Sequence, residues 1–241
     1  MTWTMPSRVQ GGLKNIINKL VPRLCFLCGS DGDGFLCCQC AQDLPHIEHG
    51  CKQCGVPLPH SAVCPECLHQ PPSFSLAVSA FSYSREIPYL IRQFKRRHNL
   101  GCAAYLCAEL EQQIKQHYLF KLPDVVTFTP LHWSTLITRG FNQAEFIARQ
   151  LTRSLPIPCH ALIKKTERTA SQKRLKRKQR LLNLQSSFTI TQALSQSHIA
   201  LVDDVMTTGA TAEIISKQLL ASGAKRVDIW TLARTPKPVP C

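Results

Sequence analysis

Four C-x-x-C pairs crowd the first third of the chain: Cys25/Cys28, Cys37/Cys40, Cys51/Cys54 and Cys64/Cys67, with Cys38 left over inside the second pair. Two thiolates three positions apart on a tight knuckle bind one tetrahedral zinc ion as a unit, so four pairs supply the ligands of two closed, structural sites. A disulfide framework is the rival reading, and it needs an oxidising compartment for which the sequence shows no secretory signal. Spacing leaves the pairing open. A sequential arrangement joins 25/28 to 37/40 and 51/54 to 64/67, and an interleaved one joins 25/28 to 51/54 and 37/40 to 64/67. Gly29, Gly32, Gly34, Gly50 and Gly55 and the prolines at 45, 57, 59 and 65 punctuate the segment, so its fold is expected to depend on metal more than on core area. His46, His49, His60 and His69 are read as surface imidazoles beside this full set of thiols.

The pattern changes after His69-Gln-Pro-Pro-Ser73, a linker. Leu76 to Tyr83 reads as a strand. Ile87 to His98 reads as a helix with Leu90, Ile91 and Phe94 on one face. A second helix follows, with Leu106, Leu110 and Ile114 in a stripe flanked by Ala103 and Cys107. Residues 124 to 130 form a β-branched run closed by proline. Asn142 caps a helix whose third residue is Glu145 and whose buried face is Ile147, Leu151 and Leu155. Ile199 to Val202 is the next strand, Thr211 to Ala221 the next helix with Gly223 as its stop, and Val227 to Ala233 the last strand. Strands alternating with helices predict an α/β fold with a mainly parallel sheet covered on both faces. The expected organisation is a short amphipathic segment over 1–24, a double zinc-binding module over 25–70, an α/β domain over 74–235 and a tail over 236–241.

In such folds ligands bind at the carboxyl ends of the strands, and ALVDDVMTTGAT at 200–211 sits at such an end. The backbone N–H groups of Thr207, Thr208, Gly209, Ala210 and Thr211, with the dipole of the following helix, form an anion nest suited to a terminal phosphate. Asp203 and Asp204 would repel that phosphate in the same pocket, so their expected partners are vicinal hydroxyls one sugar-length away.

LVDDVMTTGAT resembles the phosphoribosyl pyrophosphate (PRPP) binding motif of type I phosphoribosyltransferases. Ala210 stands where many members have a second glycine. Thr207 stands where 6-oxopurine transferases carry an acid, which argues against that substrate class. The likeness extends from about Cys25 to Arg234, through TPLHWSTLITRGFNQAE at 129–145, the spaced Thr169, Gln172 and Leu175, and GAKRVDIWTLAR at the end. On these residues the chain resembles the ComF/GntX family of competence and DNA-utilisation proteins. That resemblance implies a type I phosphoribosyltransferase-like domain behind a double zinc module, and transfer of ribosyl phosphate from PRPP to an acceptor the sequence does not identify, with Mg²⁺ entering alongside PRPP.

It also implies that the turn after strand 124–130 is the pyrophosphate loop, with Leu131, His132, Arg139 and Gly140 at the leaving group. Arg139 is a fixed-charge fork and Gly140 permits close approach. Residues 164–180 fall where such enzymes carry a flexible flap, which assigns Lys164, Lys165, Arg168, Gln172 and Arg180 to it.

Charge fits anionic partners. The 29 Lys and Arg exceed the 15 Asp and Glu, for a formal net charge of +14, and much of the excess lies in the 164–180 stretch. Phosphorylated metabolites and single-stranded DNA both suit such a patch. The family resemblance adds DNA-uptake helicase or pore proteins as partners. No run is long and apolar enough for a transmembrane span, so the expected location is the cytoplasm. Leu13, Ile16, Ile17 and Leu20, at helical spacing beside Lys14 and Lys19, form a basic helix suited to packing on a neighbour or touching the inner face of the membrane.

Overall fold

The computed structural model describes residues 24–32, 34–131, 133–165 and 187–237. They divide into two compact units, the first ending at Leu44 and the second starting at Pro45. The basic helix expected around Leu13 to Leu20 and the flap residues Arg168, Gln172 and Arg180 lie outside the described residues.

The first unit is a metal knuckle with little core. The Gly29 N–H donates to the Cys25 carbonyl at 2.9 Å, closing the first turn, and the Phe26 and Phe35 rings stack at 4.9 Å. Helix α1 (Cys38–Gln42) follows, capped at its start by Cys37, whose Sγ accepts the Cys40 N–H at 3.5 Å.

The second unit begins with the other knuckle, whose helix α2 is Pro65–His69. Ser73 then ties the chain down by donating its N–H and its hydroxyl to the Glu213 carboxylate, both at 2.8 Å. The elements that follow are β1 (Leu76–Ser82), α3 (Ile87–Arg97), α4 (Leu100–His117), β2 (Val125–Phe128), α5 (Trp133–Arg139), α6 (Gln143–Leu151), β3 (Ile163–Lys165), β4 (Phe188–Ile190), β5 (His198–Met206), α7 (Ala210–Ala221) and β6 (Arg226–Arg234). Four strands form a parallel sheet in the order β1-β6-β5-β2, while β3 and β4 pair antiparallel as a separate ribbon. Alternation along β5 divides the core. Ile199 and Leu201 join α7 residues Ile215 and Leu219. Ala200 and Val202, pointing the other way, are buried on the face where α6 packs.

The expected helical stripes are buried as read: Leu90, Ile91 and Phe94 on α3, Leu106, Leu110 and Ile114 on α4, Ile147 and Leu151 on α6. Cys102 and Cys107 are core thiols, and burial pushes their pKa values up to about 11 and about 12. Asn142 caps α6 through Oδ1, which accepts from Ala144 N at 3.0 Å and Glu145 N at 3.4 Å. Gly223 ends α7 with φ of +102°. A Cβ there would meet the Leu194 carbonyl oxygen at 2.1 Å, so this stop admits glycine alone.

Two features differ from the sequence reading. The strand expected to end near Val202 runs on to Met206, because Asp203, Val205 and Met206 keep pairing with Thr231, Ala233 and Arg234 of the equally long β6. The short helix α5 and the β3/β4 ribbon were not anticipated, since seven- and three-residue elements carry too few positions for a period to show.

At the amino ends of β5 and β6 a polar network is built into the core. Asp228, fully buried, accepts from Tyr118 Oη at 2.6 Å, His198 Nε2 at 2.7 Å and Arg226 Nε at 2.9 Å. Trp230 Nε1 donates to Tyr118 Oη at 3.1 Å. Burial by itself raises the Asp228 pKa, but these donors outweigh it and hold the carboxyl below its ordinary range. Its stabilisation is therefore present above the unfolded value near about 4 and is lost as pH falls through the lower folded value. Asp228→Asn is expected to cost about 2–4 kcal/mol in urea unfolding at pH 7, with the gap to wild type narrowing towards pH 3.

Candidate functional site

The thiols of both candidate metal sites are already gathered. Cys25, Cys28, Cys37 and Cys40 form one set and Cys51, Cys54, Cys64 and Cys67 the other, the sulfurs of each lying within 4.8 Å of one another. The sequential pairing is the one present. A tetrahedron with Zn–S arms of about 2.3 Å has edges of about 3.8 Å, and the Cys28–Cys37 and Cys54–Cys64 sulfurs are both 3.7 Å apart. Donor type, number and spacing thus fit a structural zinc ion in each. Burial raises the Cys51 pKa, yet backbone N–H groups of Cys64, Cys54 and Gln53 outweigh it and bring that thiol down to about 7, whereas burial pushes Cys54 and Cys67 of the same set up.

The second set differs from the first in its surroundings. All four of its thiols are buried, in one cluster with Phe74 and Ala77, with Leu201 and Ile229 of the sheet and with Ile215 of α7. In the first set only Cys25 is buried.

At the carboxyl end of the sheet, β5 carries Asp203 and Asp204 and then leaves through Thr207, Thr208 and Gly209 into α7. Gly209 is the N-cap residue in the left-handed region, with φ of +82°, a conformation that costs other residues about 1–2 kcal/mol. Thr207 and Thr208 are exposed. The Ala210 N–H donates to Thr208 Oγ1 at 3.3 Å. Among the described residues no acceptor takes the N–H groups of Thr207, Thr208 or Gly209. An open hollow lies over them, lined by Asp203, Met206, Thr207 to Thr211 and Thr231.

The two carboxylates are not equivalent. Asp204 Oδ2 pairs with Lys95 Nζ at 2.5 Å, and its backbone N–H donates to Asp203 Oδ1 at 2.8 Å. Burial, and next the negative charge of Asp204, push Asp203 up to about 7, although the Asp204 N–H, Lys95 and the Thr129 hydroxyl pull the other way.

Lys95 reaches the site from the last turn of α3, next to exposed Arg96 and Arg97. The following His98 sets its ring edge-on against Phe141 at 4.8 Å, which brings Gly140, with φ of +79°, alongside the end of α3. Thr129 extends the β2 pairing by donating its N–H to the Val202 carbonyl at 2.9 Å, and its own carbonyl accepts from Asn142 Nδ2 at 3.0 Å. His132 and the Arg139 guanidinium lie outside what the structure describes. In the expected flap, Lys164 is exposed on β3, whereas Lys165 lays its ammonium over the Phe188 ring at 5.4 Å. Burial lowers the pKa of Lys165.

Sequence reasoning missed Lys95, Thr129 and Arg234. Lys95, Arg96 and Arg97 in a last helical turn were a visible signal of a cation cluster. Nothing local marks the buried Arg234.

A double zinc ribbon domain model matches residues 16–68. DNA utilization protein YhgH of Escherichia coli O157:H7 is 34% identical over 227 residues, covering 89% of this chain and 98% of its own. Competence protein F of Haemophilus influenzae is 32% identical over 207 residues, covering 83% and 90%. Among solved structures, a purine phosphoribosyltransferase from Pyrococcus horikoshii aligns with 57% of this chain and 78% of its own at 21% identity and a TM-score of 0.34. Both of the first two relatives are more than 30% identical and are covered over nine-tenths or more of their own length, and by that identity and coverage the chain belongs to the ComF/GntX family of competence and DNA-utilisation proteins.

Proposed function

We propose that residues 203–211 bind PRPP and that the protein serves the uptake or use of DNA, the role its relatives' names give to them. The observation that carries the binding reading is the pairing of two kinds of group at one strand end. Two carboxylates on β5 are followed within a few residues by main-chain N–H groups open to the hollow under a helix start. Vicinal ribose hydroxyls donate to the carboxylates. The 5′-phosphate takes the amides and the threonine hydroxyls. Mg²⁺ comes with PRPP, held by ligand oxygens, and Lys95 supplies fixed positive charge at the sugar side. In a transfer reaction the C1–O bond to pyrophosphate breaks as an acceptor nucleophile bonds to C1. The protein's share is to orient the sugar and stabilise the departing anion.

A second reading is a DNA-handling protein without turnover. It draws on Arg92, Arg96 and Arg97, which are exposed along α3 and suit a nucleic acid backbone regardless of sequence.

One set of titrations separates the readings. Wild type and Asp203→Asn/Asp204→Asn are titrated with PRPP and Mg²⁺, then with single-stranded DNA. The expected result is at least about 100-fold weaker PRPP binding in the double variant, from the loss of two charge-assisted acceptors, with DNA affinity kept. Equal PRPP binding by the two proteins rejects the socket, and pyrophosphate release across a panel of bases then tests turnover.

A further inference from the structure

Arg234, the last residue of β6, is a buried guanidinium, 3% exposed. Its Nε donates to the Cys54 carbonyl at 3.0 Å, 180 residues away in sequence. Its Nη1 donates to the Met206 carbonyl at 2.9 Å, to the Thr207 carbonyl, and more weakly to the Thr235 carbonyl at 3.4 Å. One side chain thus clamps the second metal knuckle to the loop that leaves β5. Among the described residues no carboxylate forms an ion pair with it. A zinc ion with four thiolates is doubly negative, which offsets such a charge from close by.

The geometry has a direct effect on the hollow. A peptide unit is planar and trans, so the carbonyl of one residue and the N–H of the next point in opposite directions. Drawing the Met206 and Thr207 carbonyls inward to Arg234 turns the N–H groups of Thr207 and Thr208 outward, on the side that faces the open hollow.

We propose that Arg234 is a positioning residue through which the second four-cysteine site holds the phosphate-binding amides in place, so that zinc occupancy and anion affinity are linked. The idea rests on the PRPP reading for its ligand, but the brace itself does not need that ligand. Linkage is reciprocal: a metal-free second knuckle loosens the loop, and a bound 5′-phosphate slows metal loss from that knuckle.

The test uses the full chain with both zinc ions. Arg234→Met and Arg234→Lys are titrated with ribose 5-phosphate, with zinc content measured in parallel. Both are expected to bind at least 10-fold more weakly while keeping their zinc, because lysine restores the charge but cannot reach the knuckle and the loop together. Wild-type affinity in zinc-replete Arg234→Met overturns the proposal. Hydrogen exchange on the wild type supplies a second arm that needs neither variant nor ligand. Partial chelation at low temperature is expected to speed exchange at Thr207 and Thr208 well beyond any change in β2, and equal change in both segments overturns the brace. Failure of wild type to bind ribose 5-phosphate sinks the PRPP reading and leaves this exchange arm to decide the brace.

Discussion

Asp203→Asn is expected to make the protein more stable at pH 8 and to cost it PRPP binding. The two effects share one cause. Burial and the neighbouring Asp204 push Asp203 up to about 7, against an unfolded value of about 4. A carboxyl with a raised folded pKa contributes stability that is fully present below the unfolded value and is lost as pH rises through the folded one. At pH 8 wild type therefore carries an ionised carboxylate in a site that disfavours it. The amide removes that cost, a gain of about 1–2 kcal/mol once partial solvent access is allowed for, and the gain should vanish near pH 4.

The same ionisation is what a sugar hydroxyl needs. An amide offers one acceptor oxygen and an unwanted donor, so PRPP affinity should fall about 10- to 100-fold. Wild-type affinity should itself weaken as pH drops from 8 to 6. Melting curves at pH 5 and 8, with calorimetry at both, check this. A variant less stable than wild type at pH 8 would falsify the strain argument, while unchanged affinity removes Asp203 from the socket. Such opposition between stability and binding marks a group held for function rather than for the fold.

Breaking the two metal sites should have unequal consequences. Cys51→Ala is expected to lower the melting temperature of the Pro45–Cys241 unit by at least about 10 °C, equivalent to about 3–5 kcal/mol for a unit of this size. Its four thiols are buried among Phe74, Leu201, Ile215 and Ile229, so losing the metal leaves unpaired polar sulfur in the sheet's own core. Cys28→Ala strikes a site in the other unit, where Cys28 is exposed, and should leave the main transition within about 2 °C. Circular dichroism melts with zinc quantified for each variant decide the matter. Equal losses from the two substitutions would mean that the second site is not part of the core.

Much of this was legible along the chain because the relevant physics is local. A C-x-x-C knuckle is a property of four consecutive residues, and the stripe Leu106, Leu110 and Ile114 declares a helix face through spacing alone. The Asn142 cap needs only its own N–H neighbours two and three positions on. The run from Asp203 to Thr211 likewise carried its carboxylates, glycine and hydroxyls in order, and so marked a candidate site before any fold was known.

What the sequence could not decide were the contacts whose partners are brought together only by the path of the backbone. Which cysteine pairs share a metal depends on how two knuckles face each other, and spacing allowed both arrangements. Lys95 meets Asp204 only because the end of α3 lies over the carboxyl end of β5. Arg234 reaches Cys54 and Thr207 because β6 lies in the middle of the sheet, between β1 and β5, with the second knuckle packed in the same core. Periodicity records which way a side chain points, whereas pairing between distant segments is settled by packing of the whole, and that is why the brace and the uneven carboxylates belong to the tertiary structure alone.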